Sequence, residues 1–213
     1  MLIPKYFLLF FIMLNLQAHA QQKVHLADMF REDKISPVNR EISLYDEHGV
    51  EMDARDSDGL GIIQGVEFKT GTIEIELLGE NNPGKSFIGV AFNIQDNETY
   101  EAVYFRPFNF VAEEEIRRAH MVQYIFHPEF TWRKLREERT GEFEKEIPDP
   151  PDPDNWFRAV IRVSETRVEV FVEGSPDPVL VVDRLNSTSS GKIAIWTGFG
   201  SSGRFRNLVI KSE

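Results

Sequence analysis

Apolar and polar residues alternate with a period of two in several segments of the chain. In residues 72–77 the apolar positions are Ile73, Ile75 and Leu77, and residues 167–172 repeat the pattern with valine. This alternation is typical of a strand that buries one face. Roughly eleven to thirteen short strands follow one another at a spacing of about 8–12 residues, with no sustained amphipathic helix. The pattern predicts an all-β fold, a two-sheet antiparallel β-sandwich.

The first twenty residues differ from the rest. Lys5 precedes an apolar segment over residues 6–16, and Ala18-His19-Ala20 matches a small-x-small cleavage signal before Gln21. These features predict a signal peptide over residues 1–20 and one sandwich domain over residues 21–213. No cysteine is present to carry a lipoprotein anchor, and no later segment is apolar for long enough to span a membrane. We therefore expect a secreted protein, periplasmic or extracellular.

Composition narrows the classes of partner and cofactor. The chain has 35 acidic and 24 basic residues, a formal net charge of −11, which disfavours nucleic acid and anionic membrane surfaces as partners. The absence of cysteine excludes thiol chemistry, zinc–thiolate sites and iron–sulfur clusters. Residues 53–59 faintly resemble a calcium loop, but Ala54 stands where the first carboxylate is needed. We expect no cofactor and no metal site.

Polar and aromatic residues are interleaved over residues 100–127, which contain two predicted strands, 100–108 and 120–126, joined by a charged connector. Alternation places Tyr104 and Arg106 on one face of the first strand. In an unbroken second strand, the odd separation of His120 and His127 would turn them to opposite faces, which argues against a shared metal. Gln123 would then face the same side as His127, and Tyr124 the same side as His120.

Trp132 follows the second strand on a charged loop, where an exposed indole could stack on the apolar face of a sugar. Structural alternatives remain open. Arg106 could instead tie down residues 113–115, either histidine could be an ordinary structural residue, and Trp132 could pin its loop. Trp156 and Trp196 are predicted to lie in the core. The candidate ligand-binding residues are Tyr104, Arg106, Asn109, His120, Gln123, Tyr124, His127 and Trp132.

The last third of the chain has a Trp-led strand, a V-x-V-x-V-x-G strand, and then G-x-I-x-I-W and F-x-N-L-x-I motifs. The residues in those places are Trp156, Gly174, Gly191, Trp196, Phe205, Asn207 and Leu208. This part resembles the concanavalin A-like lectin/glucanase superfamily. Residues 68–75 and 87–92 are similar to its 3-keto-disaccharide hydrolase-like branch. The resemblance implies a jelly roll with one concave face on which relatives hold or process sugars.

Catalytic residues are less well marked. Laminarinase-type members of the superfamily carry Glu-x-Asp-x-Glu on one strand. In this chain Glu74 and Glu76 share a face, but the middle Asp is replaced and the final Glu falls late. An exposed carboxylate pair on a sheet is the favoured interpretation. His120 and His127 are the other candidates, since imidazole is a general base near neutral pH.

Three functional hypotheses follow. The leading one is a carbohydrate-binding β-sandwich with its site on the concave face and the covering loop. The second is a glycan or keto-sugar hydrolase or lyase that uses general acid/base residues in the same groove. The third is a non-catalytic adhesion or assembly module that uses the groove as a protein interface.

Overall fold

The computed structural model describes residues 21–186 and 190–213. The predicted signal peptide lies outside the described residues. Strands dominate the described chain, and their bounds in chain order are β1 (Gln21–Val24), β2 (Ile35–Val38), β3 (Ile42–Leu44), β4 (Gly49–Met52), β5 (Gly59–Phe68), β6 (Gly71–Leu78), β7 (Ile88–Ile94), β8 (Tyr100–Phe105), β9 (Val122–His127), β10 (Glu144–Lys145), β11 (Phe157–Val163), β12 (Arg167–Val172), β13 (Leu180–Asp183), β14 (Gly191–Thr197) and β15 (Gly203–Ser212).

These strands form two antiparallel sheets, which confirms the predicted all-β sandwich. The eight-stranded sheet has the order β13-β12-β11-β6-β15-β4-β3, with β1 added alongside β15. The seven-stranded sheet has the order β10-β9-β8-β7-β14-β5-β2. Neighbours in these orders are often distant in sequence. Both sheets therefore depend on pairing between strands that are far apart in the sequence.

Strand β6 shows how the alternation builds the core. Ile73, Ile75 and Leu77 are fully buried, whereas the glutamates between them are only half-buried. Burying such side chains contributes on the order of 1.5–3 kcal/mol each relative to leaving them in water.

Strand β8 shows which face of the seven-stranded sheet packs against the other sheet and which face points away from it. The ring of Phe105 meets that of Phe157, on β11 of the other sheet, at 5.2 Å between centroids, so Phe105 points into the space between the sheets. The neighbouring Tyr104 points to the opposite face. This face of the seven-stranded sheet carries the cleft described below.

Three short helices and one 3₁₀ turn interrupt the strands: α1 (Leu26–Arg31), the 3₁₀ turn (Pro107–Asn109), α2 (Glu115–Arg118) and α3 (Trp132–Glu138). The 3₁₀ turn ends the predicted strand 100–108 early, and α2 occupies the charged connector. The described chain contains more strands than the sequence predicts, because β1, β2 and β10 carry weak local patterns. None of the helices described has the length and apolar character needed to cross a bilayer.

Candidate functional site

A cleft of about 600 Å³ opens on the face of the seven-stranded sheet that points away from the other sheet. Aromatic side chains form much of its surface. Tyr104 and Trp196 pack at 4.9 Å between ring centroids, and Phe87 meets both Tyr104 and Phe108 edge-on. Trp132 and Phe199 line the cleft while 41% and 58% exposed, so large apolar surfaces remain available to a ligand.

Arg106 lies at the centre of a buried hydrogen-bond network. Its guanidinium donates to the Tyr104 hydroxyl at 2.7 Å, to the Gln123 side-chain oxygen, and to the His120 carbonyl at 2.9 Å. Tyr104 in turn donates to Gln123 at 2.7 Å. Burial lowers the pKa of Arg106 and raises the pKa of Tyr104 to about 12. These side chains are held in one arrangement before any ligand arrives.

The Glu144 carboxylate lies beside this network, 3.7 Å from Arg106, and its side chain is 2% exposed. Strand β10 places it opposite Gln123 of β9. Arg136 binds its two oxygens at 2.8 and 2.6 Å, and His120 Nδ1 lies 2.9 Å from its Oε2 atom. Burial lowers the pKa of His120, and the nearby Glu144 charge only partly opposes this. The buried Nδ1 atom has no hydrogen-bond partner in the described chain, so its 2.9 Å contact with Glu144 is an ion pair only when the imidazole is protonated.

A second histidine–carboxylate pair lines another part of the cleft. His127 stacks on Tyr100 at 5.1 Å, and its Nδ1 atom lies 3.9 Å from the Asp58 carboxylate. Tyr100 donates to Asp58 at 3.1 Å and accepts from the indole N–H of Trp196 at 3.3 Å. Burial raises the pKa of Asp58 and lowers that of His127. The buried Nε2 atom of His127 has no hydrogen-bond partner in the described chain.

Asn109 and Arg117 complete the polar lining. Asn109 donates to the His120 carbonyl at 3.1 Å and accepts from Arg117 at 3.3 Å. Arg117, on helix α2, also donates to the Phe108 carbonyl at 3.0 Å. The 3₁₀ turn and α2 therefore form one wall of the cleft.

Six of the eight predicted ligand-binding residues line this cleft: Tyr104, Arg106, Asn109, His120, His127 and Trp132. Gln123 is completely buried beside it and holds Tyr104 and Arg106. Tyr124 points the other way, where its hydroxyl donates to Glu101 at 2.6 Å. Its predicted place in the groove is therefore wrong.

The predicted opposition of His120 and His127 is also wrong. Strand β9 begins only at Val122, and His120 follows the end of helix α2. The parity rule does not extend across that break, so both histidines line one cleft. Gln123 and His127 do share a face, as the alternation within β9 predicts.

Glu74 and Glu76 lie on β6 of the other sheet, away from the cleft. Glu74 accepts from Arg158 at 2.7 Å and Glu76 from Arg206 at 2.6 Å. The Arg158 hydrogen bond lowers the pKa of Glu74, which disfavours a role as a proton donor. Both residues form surface ion pairs, as the favoured interpretation of the sequence holds.

Several residues of the cleft are missed by the sequence analysis. Asp58 lies in residues 53–59, for which the sequence predicts no ligand contact, Phe199 lies between two glycines, and Trp196 is predicted only as a core residue. Trp196 is 3% exposed and packs in the core as the sequence predicts, whereas the predicted core position of Trp156 is wrong, because Trp156 is half-buried with the Arg206 guanidinium 4.1 Å above its ring. An aromatic residue inside a glycine-rich connection is the one local signal that favours an exposed ligand contact at Phe199. Within residues 21–186 and 190–213, no group of three or more histidine, aspartate or glutamate residues has metal-binding geometry.

Solved structures of similar shape identify the architecture. The carbohydrate binding module CBM66 from Bacillus subtilis matches with a TM-score of 0.60 at 12% identity, over 84% of this chain and 96% of that chain. A protein of unknown function with a galectin-like fold from Bacillus subtilis matches with a TM-score of 0.60 at 13% identity, over 90% and 94%. The Crh5 transglycosylase in complex with NAG matches with a TM-score of 0.58 at 10% identity, over 90% and 83%.

These likenesses establish a lectin-like jelly-roll sandwich and confirm the predicted fold. No protein-family model matches the sequence, and no curated protein matches it either. The 3-keto-disaccharide hydrolase-like branch stays a prediction.

Proposed function

We propose that this protein binds a carbohydrate in the cleft of the seven-stranded sheet. The observation that carries the proposal is the pair of exposed aromatic side chains, Trp132 and Phe199, beside a lining of fixed polar groups. A pyranose has an apolar C–H face that packs on aromatic rings and hydroxyl groups that pair with polar side chains. Neighbours in shape include a carbohydrate binding module and the lumenal domain of VIP36 with Man3GlcNAc, which supports the same class of ligand.

The polar groups suit this role because they are already ordered. Arg106 and Asn109 both donate to the His120 carbonyl, which holds their side chains in place. A ligand that meets fixed donors loses less free energy to side-chain ordering than one that meets mobile donors.

A glycan array followed by calorimetry on residues 21–213 tests the proposal. Trp132→Ala and Phe199→Ala are each expected to weaken binding of the selected glycan roughly tenfold, as for an aromatic anchor at an interface. Tyr45→Ala is the matched control, since Tyr45 is 42% exposed but meets Trp156 edge-on, outside the cleft. The Tyr45→Ala variant should bind the selected glycan with the affinity of the wild type. Failure of the wild type to bind any glycan would overturn the proposal.

A second candidate function is hydrolysis or elimination of a glycan or keto-sugar, and the His120–Glu144 pair favours it. The buried Glu144 carboxylate, 2.9 Å from Nδ1, stabilises the imidazolium that forms when His120 accepts a proton, so His120 can serve as a general base. Glu144 would then be a positioning residue, because it acts on the substrate only through His120.

Turnover of a panel of disaccharides, oxidised and unoxidised, tests the catalytic candidate. His120→Gln is expected to lower kcat by about 10²–10⁴-fold, the usual contribution of a general base. Glu144→Gln should shift the acid limb of the pH–rate profile to lower pH, because the anion that favours the imidazolium is lost. His48→Gln, at an exposed position, is the control. Turnover by His120→Gln at the wild-type rate would reject this function.

We also propose export, with residues 21–213 as the single mature domain. The basis is the apolar segment over residues 6–16 and the small-x-small signal at residues 18–20. Mass spectrometry of the fractionated protein should find Gln21 as the N-terminus outside the cytoplasm. An intact N-terminus in the cytoplasmic fraction would contradict export.

A further inference from the structure

The cleft carries a charge opposite to that of the chain. Three arginines, Arg106, Arg117 and Arg136, line it, against one lining carboxylate, Asp58, and the buried Glu144 beside it. The whole chain has 35 acidic residues against 24 basic ones. We propose that the sugar bound in the cleft carries an anionic substituent, a carboxylate or a sulfate. This inference rests on the proposed carbohydrate-binding function and adds the chemical class of the ligand.

The three arginines belong to one connected arrangement. Arg106 and Asn109 share the His120 carbonyl as acceptor, and Arg117 donates to Asn109 at 3.3 Å. On the other side, Glu144 binds Arg136 and lies 3.7 Å from Arg106. The positive charges therefore converge around His120 and are not spread over the cleft.

Two of these arginines keep donors for a ligand. A guanidinium has five N–H donors. Glu144 occupies Nε and one hydrogen of Nη2 on Arg136, and the structure gives the Nη1 group of Arg136 no partner in the described chain. Arg117 uses three donors, and two of those bonds are long, 3.3 Å to Asn109 and 3.4 Å to Glu114. An anion could replace such weak contacts with stronger ones, because charge-assisted hydrogen bonds are short and well directed.

Nearby carboxylates do not neutralise this end of the cleft. Glu144 offsets one of the three positive charges, and Glu114 is 62% exposed, so solvent screens its 3.4 Å contact with Arg117. Asp58 is engaged by Tyr100 and His127 instead. The remaining positive potential is bounded by aromatic side chains, which form a wall of low dielectric constant and focus the field on a bound group. An anionic substituent placed near His120 is thus favoured over a neutral one.

Matched sugar pairs test the inference. Oligosaccharides of galacturonate, glucuronate and mannuronate are compared by calorimetry with their methyl esters, which keep the shape and remove the charge. Sulfated and desulfated chondroitin and galactan oligosaccharides form the second arm and distinguish the two anions. We expect a charged member of at least one pair to bind about tenfold tighter than its neutral form, the effect of one charge-assisted hydrogen bond. This advantage should fall when salt shortens the screening length.

Variants locate the effect. Arg117→Gln is expected to remove most of the preference for the charged member, and Arg117→Lys to restore part of it. Arg158→Gln, which removes an arginine bound to Glu74 on the other sheet, should leave the preference unchanged. Neutral members that bind as tightly as charged ones would overturn the anionic inference and leave carbohydrate binding in place. Absence of binding to every glycan would overturn both.

Discussion

Glu101 and Arg184 form a completely buried ion pair behind the cleft, between the two sheets. Arg184 donates to both carboxylate oxygens, at 2.9 and 2.8 Å. Tyr124 and Asn93 donate to the same oxygens at 2.6 and 2.9 Å. The four hydrogen bonds explain why a charge is tolerated there, and why Tyr124 points away from the cleft.

Removal of the Glu101 charge should be costly. Glu101→Gln leaves the Arg184 charge buried without its counter-ion, which costs about 3–5 kcal/mol in the free energy of unfolding. Glu165→Gln is the matched control, because Glu165 pairs with Lys69 at 2.7 Å while 59% exposed, and the loss of a pair that solvent screens should lower the stability far less. Urea unfolding measures both. Equal effects of the two substitutions would contradict the burial argument.

His120 and His127 should titrate below the ordinary histidine value of about 6.5. Burial lowers the pKa of each in the folded protein. The unfolded chain then takes up these protons at higher pH than the folded one, so the free energy of unfolding falls as pH drops below about 6.5. Nitrogen-15 NMR of the imidazole rings measures both values. A midpoint at or above 6.5 for either residue would contradict the role assigned to burial.

Helix α3 carries Trp132 and Arg136 into the cleft, and its N-terminus depends on one capping residue. The Thr131 side chain accepts from the Lys134 backbone N–H at 3.3 Å. Thr131→Ala should lower the free energy of unfolding by about 0.5–2 kcal/mol, the usual cost of losing such a cap. Thr131→Ser keeps the hydroxyl and is expected to keep the stability. Denaturant unfolding compares the three proteins, and equal loss in the serine variant would argue against capping.

Local patterns predict the strands well where one face of the strand is buried. Strand β6 alternates in sequence because its glutamates point outward, and strand β12 has its predicted bounds, residues 167–172. Strand β8 is buried on both faces, so only the direction of each side chain can be predicted there. That direction is right for Tyr104 and Arg106. The predicted direction is wrong for His120, because His120 follows the end of helix α2 and does not belong to strand β9.

The carboxylate that completes the site could not be predicted in this way. Glu144 lies in the sequence Glu142-Phe143-Glu144-Lys145-Glu146, and alternation treats its three glutamates alike. Only the pairing of β10 with β9 buries Glu144 while Glu142 and Glu146 stay in water. The residue opposite Glu144 is Gln123 of β9, some twenty residues earlier in the sequence. Local periodicity contains no information about such a pairing, so the His120–Glu144 pair is visible only in the folded chain.

For the molecule as a whole, the buried tyrosines set a limit on stability at alkaline pH. Burial raises the pKa of Tyr100, Tyr104 and Tyr124, that of Tyr104 to about 12. A phenol in the unfolded chain loses its proton near pH 10. Above that pH the unfolded state binds fewer protons than the folded state. The stabilisation from these residues is therefore complete below about pH 10 and is lost as pH rises toward 12.

Ionisation of these three tyrosines should then coincide with unfolding. An alkaline titration that follows phenolate absorbance and near-ultraviolet circular dichroism together is expected to show one late, cooperative step in both signals. Tyr45→Phe removes a phenol that is 42% exposed and should leave that step in place. Gradual ionisation of all the tyrosines with the dichroism intact would show that the phenols reach solvent in the folded protein. The packing of Tyr104 and Tyr100 against Trp196 and His127 would then be looser than the cleft geometry requires.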